Sequence, residues 1–111
     1  MNINQDTPMS DASLQFLESL TLKKMTIGNL LWSIRECDEL SQSAFAKTLG
    51  ISRQYLCDIE HNRRTISPKA AADFATKLGH SPAQFIRLAI QDEINKYGLN
   101  FDVQITEHKA A

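Results

Sequence analysis

Arg53, Gln54 and Asp58 carry, in that order, a forked donor, an amide that both donates and accepts, and an acceptor. Set at about 100° per residue, they share one polar arc with Cys57 and His61, opposite Leu56, Ile59 and Glu60. Such an arc fits the major groove of duplex DNA, where Arg grips guanine, Gln pairs with adenine and Asp accepts from the cytosine amino group. The same arc also reads as an ordinary solvated helix face. Asp58 is the ambiguous member, because phosphates repel a carboxylate. It reads a specific cytosine, rejects wrong sites, or neutralises Arg53, although a five-residue spacing suits a helical pair poorly. Cys57, at the centre of the arc, is either a redox sensor or a small neutral residue that permits close approach. Nothing in the sequence activates its thiol, which favours the second reading.

Charge is distributed in keeping with a nucleic-acid face. The chain of 111 residues has 12 Lys and Arg against 13 Asp and Glu, a net charge of −1. Between Ser41 and Lys69, however, Lys47, Arg53, Arg63, Arg64 and Lys69 oppose only Asp58 and Glu60, a local net of +3. Glu36, Asp38, Glu39, Asp92 and Glu93 lie elsewhere. A basic face on a near-neutral chain is what electrostatic docking requires. Candidate phosphate contacts are Gln42 and Ser43, at a helix start whose backbone N–H groups attract anions, with Arg63, Arg64 and Lys69 extending the surface.

Five helices must position these groups. Thr26 caps the first, with Ile27, Leu30, Leu31 and Ile34 inward and an end near Cys37. Ser41 caps the second, whose face is Phe45, Ala46 and Leu49 and whose stop is Gly50 in a left-handed turn. Ser52 caps the third, with Tyr55, Leu56 and Ile59 inward, and Asn62 tolerates the left-handed conformation after it. Ser67-Pro68 opens the fourth, which buries Ala71, Phe74, Ala75 and Leu78 before Gly79. Ser81-Pro82-Ala83-Gln84 reads as a capping box opening the fifth, which runs to about Tyr97 and stops at Gly98. The turn between the second and third helices is too short for an antiparallel hairpin and fits a crossing near ~90–120°, the helix-turn-helix geometry.

The run from Leu40 to Glu60, LSQSAFAKTLGISRQYLCDIE, resembles the lambda-repressor-like (Cro/C1, Xre) helix-turn-helix family, and the likeness extends over about residues 27–79. The resemblance implies a third helix that reads bases from its first turn and one turn later, here Arg53, Gln54 and Asp58, with Ser52 and Tyr55 at the rim. It supports Gln42 as the foremost phosphate contact. It further implies a structural pair, in which Arg35 late in the first helix meets Glu60 at the close of the third and orients it.

Outside this core the reading rests on periodicity. Residues 1–10 show no period, and Asp11–Leu20 reads as a short amphipathic helix. After Gly98, Leu99, Phe101, Val103 and Ile105 alternate with Asn100, Asp102 and Gln104, which predicts a strand. Its ladder partner is either Leu20–Met25 or the same strand of a second chain. The fifth helix is apolar over more than half its circumference. Phe85, Leu88 and Ala89 can face the core, which leaves Ile86, Ile90, Ile94 and Tyr97 to be covered. A homodimer interface of Ile86, Ile90, Ile94, Tyr97, Phe101, Val103 and Ile105 follows; the alternative folds this face onto the N-terminal helix.

The expected organisation is an all-α, five-helix lambda-repressor-like domain with a short N-terminal helix and a C-terminal dimerisation strand. Residues 1–25 form a lead-in, 26–80 the DNA-binding domain, 81–106 the dimerisation helix and strand, and 107–111 a tail. His61, His80 and His108 lack metal-ligand spacing, and no nucleophile elbow, P-loop or paired-carboxylate constellation occurs, so no enzyme, metal or cofactor is expected. Two cysteines outside any CxxC pattern, no signal peptide and no membrane span point to a cytoplasmic protein. The expected partners are double-stranded DNA and a second copy of the chain. The expected role is a dimeric repressor on a palindromic operator. The alternative is a HigA-like antitoxin that also docks a small toxin through residues 1–25 or the terminal strand.

Overall fold

The computed structural model describes residues 25–108. Five helices follow in order: α1 (Ile27–Cys37), α2 (Gln42–Leu49), α3 (Arg53–Glu60), α4 (Pro68–Leu78) and α5 (Pro82–Lys96). Thr26, Ser41, Ser52 and Ser67 each cap a helix by accepting from the backbone N–H three residues on. Ser81 does not: its side chain makes no capping bond, so Pro82, which has no N–H to satisfy, sets the start of α5 instead of the expected capping box. Gly50 (φ 75°) and Asn62 (φ 60°) take the left-handed turns that end α2 and α3.

Leu31, Phe45, Leu49, Leu56, Ile59, Phe85 and Leu88 form the fully buried centre, with Ala46, Ala71, Ala75 and Ala89 letting the helices approach. Gly28 makes the closest approach. A Cβ built on it would collide with the backbone carbonyl oxygen of Ile59, so α1 crosses the end of α3 with no side chain between them. Around this crossing, Asn62 Oδ1 accepts from Thr26 Oγ1 at 2.7 Å, joining the cap of α1 to the turn that leaves α3. Lys77 Nζ of α4 donates to Leu49 O at 3.0 Å and satisfies the C-terminal end of α2.

Asp92 of α5 also holds α1, accepting from Ile27 N–H at 3.0 Å through Oδ2. Its Oδ1 is buried without a hydrogen-bond partner among the described residues. Burial therefore pushes this carboxyl up to about 6, against the pull of the Ile27 N–H. A folded-state value above the usual 3.8 means that the native chain binds the extra proton. Stability associated with Asp92 is thus fully present below about pH 4 and is lost as pH rises through about 6. Asp92→Asn keeps an acceptor for Ile27 and removes the titration. In urea melts, its stability relative to the parent chain is expected to improve from pH 4 to pH 7; a constant difference would show that Asp92 does not carry this dependence.

The expected strand is not formed, and no strand occurs among the described residues. Residues 99–105 run beside α5, and among the described residues no second backbone segment makes a ladder with them. A buried side chain of α5 takes that place: Gln91 Nε2 donates to Phe101 O at 2.7 Å, and Val103 N–H donates to Gln91 Oε1 at 2.7 Å. One amide thus supplies a donor and an acceptor to the extended tail, as one residue of a neighbouring strand would. Tyr97 (65 %) and Phe101 (66 %) stay exposed, together with Leu99 and Ile105, so the apolar side of the alternation is uncovered except at half-buried Val103. The helix read at Asp11–Leu20, the proposed pairing with Leu20–Met25 and the toxin-docking role of residues 1–25 fall outside the described residues apart from Met25, as does the end of the 107–111 tail. Among the described residues, no helix is long and apolar enough to cross a membrane.

Candidate nucleic-acid interface

α3 is presented by a buried ionic network. The side chain of Glu60 is 2 % exposed and that of Arg35 is 12 % exposed. Arg35 Nε donates to Glu60 Oε2 at 2.7 Å and Nη2 donates to Oε1 at 3.0 Å, a bidentate fork. Hydrogen bonding to Glu60 raises the already high pKa of Arg35, so the guanidinium stays charged. Arg35 Nη1 donates to Leu40 O, because Glu39 adopts φ 55° after α1 and turns the chain so that Leu40 N–H reaches Arg35 O. The pair expected from resemblance is therefore formed, and it also fixes the α1–α2 connection.

Gln42 extends this network to the surface. Its Nε2 donates to Glu60 Oε1 at 3.0 Å, and its Oε1 accepts from Arg53 Nη1 at 3.3 Å. The half-buried Gln42 thus links the interior ion pair to an exposed guanidinium at the first turn of α3. Ser43 is exposed beside it in the first turn of α2. Ser52 spends its side-chain oxygen on the cap, accepting from Tyr55 N–H at 3.0 Å.

One turn further along α3, Asp58 collects its neighbours. Gln54 Nε2 donates to Asp58 Oδ1 at 3.1 Å; Arg63 donates to the same oxygen from Nη2 at 2.8 Å and from Nε at 3.1 Å. The Arg63 hydrogen bonds, above all, hold the Asp58 carboxyl below the usual carboxylate range. Asp58 therefore engages Arg63 rather than Arg53, whose guanidinium turns to Gln42. Arg64 lies over the ring of half-buried Tyr55, 4.6 Å from its centroid. Cys57 Sγ lies 3.6 Å from both His61 Nδ1 and Arg63 Nη2. Lys69, 87 % exposed, stands apart beside Asp73 at the start of α4.

Both anions between Ser41 and Lys69 are thereby neutralised, Asp58 by Arg63 and Glu60 by Arg35. Exposed positive charge at Arg53 and Arg64 is left on the α2–α3 face, with a row of amide and hydroxyl groups. Such a surface can meet phosphates at its edge and base edges at its centre. On α5, Ile86, Ile90 and Ile94 are half-buried, as is Val103 of the tail.

Three contributors to this geometry escaped sequence reasoning. Gly28 left a signal, since an isolated glycine inside a helical pattern usually marks close packing. Glu39 left none, because glutamate rarely takes a positive φ. Gln91 stood in an apolar helix as a polar residue whose partner lies ten to twelve positions ahead.

Residues 34–85 match the family model described as helix-turn-helix. No curated protein matches the chain.

Proposed function

We propose, from the match of residues 34–85 to the helix-turn-helix family model and the likeness of Leu40–Glu60 to Cro/C1-type regulators, that the chain is a dimeric transcriptional repressor of a palindromic operator. That match supports binding to double-stranded DNA and a role in transcription regulation. The dimer, the repression and the residue roles are our reading. α3 lies in the major groove, with Arg53 and Gln54 against base edges. Gln42 and Ser43 at the start of α2, with Ser52, Tyr55, Arg64 and Lys69, follow the phosphates. The observation that carries this reading is the continuous link Arg35–Glu60–Gln42–Arg53, which runs from the buried core to an exposed guanidinium.

Two such helices related by a two-fold axis would enter successive major grooves about 34 Å apart. The uncovered residues Tyr97, Leu99, Phe101 and Ile105, with Ile86, Ile90, Ile94 and Val103, are the surface for the second copy. No feature of the described residues favours the toxin-binding alternative.

Selection of bound fragments from random duplexes tests the proposal, followed by titration of the enriched sequence. An inverted repeat that takes up two chains is expected. Arg53→Ala is expected to weaken binding to it by about 1–2 kcal/mol and to relax preference at one base pair per half-site. Failure to enrich any sequence, or an equal loss on all duplexes with Arg53→Ala, would remove base reading by this residue.

A further inference from the structure

Taking the DNA-binding reading above as its basis, we propose that Arg63 reads a guanine in the major groove and that Asp58 is the positioning residue that aims it. Arg63 follows α3 rather than belonging to it. The left-handed Asn62 folds the chain back, and Arg63 N–H donates to Asp58 O at 2.9 Å. The side chain therefore begins beside the last turn of α3 and returns along it. Its guanidinium reaches Asp58 Oδ1 and comes within 3.6 Å of Cys57 Sγ, the centre of the polar arc. A cation serving only as a phosphate contact would extend outward from the loop; this one is drawn across the face that enters the groove.

A guanidinium has five N–H groups. Asp58 engages the edge made by Nε and Nη2. The end formed by Nη1 and the second N–H of Nη2 is the one that pairs with O6 and N7 of guanine; in the free chain that second N–H rests on Cys57 Sγ at 3.6 Å, a weak acceptor that it exchanges for the base. Gln54 donates to the same carboxylate oxygen, so Asp58 is itself held in one orientation. An exposed ion pair of this kind contributes little to stability; its effect is to order the guanidinium before DNA arrives. The pairing also cancels the negative charge that would otherwise face the phosphates.

The test is selection from random duplexes with the full chain, Arg63→Ala, Arg63→Lys and Asp58→Ala, each checked for folding by circular dichroism. The parent chain is expected to select a G·C pair at one position of each half-site, beside those read by Arg53 and Gln54. Preference there is expected to fall on the order of tenfold to a hundredfold in both Arg63 variants. Arg63→Lys retains charge and hence most of the overall affinity. Asp58→Ala should relax the same base pair while overall affinity holds or rises, since a negative charge has gone. A uniform loss with Arg63→Ala makes Arg63 a phosphate contact and overturns the proposal. Relaxation of a different base pair by Asp58→Ala, or weaker binding with preference intact, overturns the positioning role. If the parent chain itself selects nothing, the DNA-binding reading fails along with this one; an enriched motif unchanged in the variants overturns this proposal alone.

Discussion

Arg35→Ala is expected to destabilise the domain by about 3–5 kcal/mol, because it strands the Glu60 carboxylate in a nearly dry site. The fork from Arg35 Nε and Nη2 disappears, and Gln42 Nε2 remains as the side-chain donor to Glu60. Arg35 Nη1 is also lost from Leu40 O, which loosens the turn through Glu39. Urea denaturation followed by circular dichroism gives the loss directly, and a change under about 1 kcal/mol would show that Glu60 finds water or another donor. The double replacement Arg35→Met with Glu60→Leu separates charge from shape. Buried ion pairs often exchange for apolar groups with little cost, so most of the stability should return. DNA binding should not return with it, because Gln42 then has no carboxylate to hold it toward Arg53.

Gly28→Ala is expected to cost about 2–3 kcal/mol, the reverse of what local preference dictates. Alanine is the better helix former by about 1 kcal/mol, and Gly28 lies inside α1. The added methyl group, however, meets the backbone carbonyl of Ile59 rather than a flexible side-chain end. Backbone cannot step aside as a rotamer can, so α1 and α3 must separate, at an overpacking cost of roughly 1–3 kcal/mol or more. Asn62 Oδ1 lies 2.8 Å from the same Cβ position, so the bond from Thr26 is disturbed as well. Thermal denaturation checks the sign. A stabilised variant would mean that the crossing has room to relax. Movement of α3 should also shift the amide signals of Arg53 and Gln54, which touch neither residue.

Local chemistry made most of this architecture legible. Ser and Thr caps, Pro68 at a helix start, Gly50 in a left-handed turn and Asn62 after α3 each act within a few residues. Apolar spacing of three and four separated core from surface for the same reason, since a helix repeats every turn. The terminal segment shows where that logic fails. Leu99, Phe101, Val103 and Ile105 alternate as a strand does, but alternation marks only an extended chain with two faces. A ladder needs a second backbone, and Gln91 answered with a side chain.

By itself, then, the order of residues determined which segments are helical, where they stop, and which side chains share the outward arc of α3. Such properties depend on backbone preferences and on neighbours within one turn. Tertiary structure alone decided that Asp58 turns to Arg63 rather than Arg53, that Gln42 joins Glu60 to Arg53, and that Gly28 must admit the Ile59 carbonyl. Each joins groups whose distance is set by how two helices cross or how a turn folds back, and no repeat along the chain encodes it.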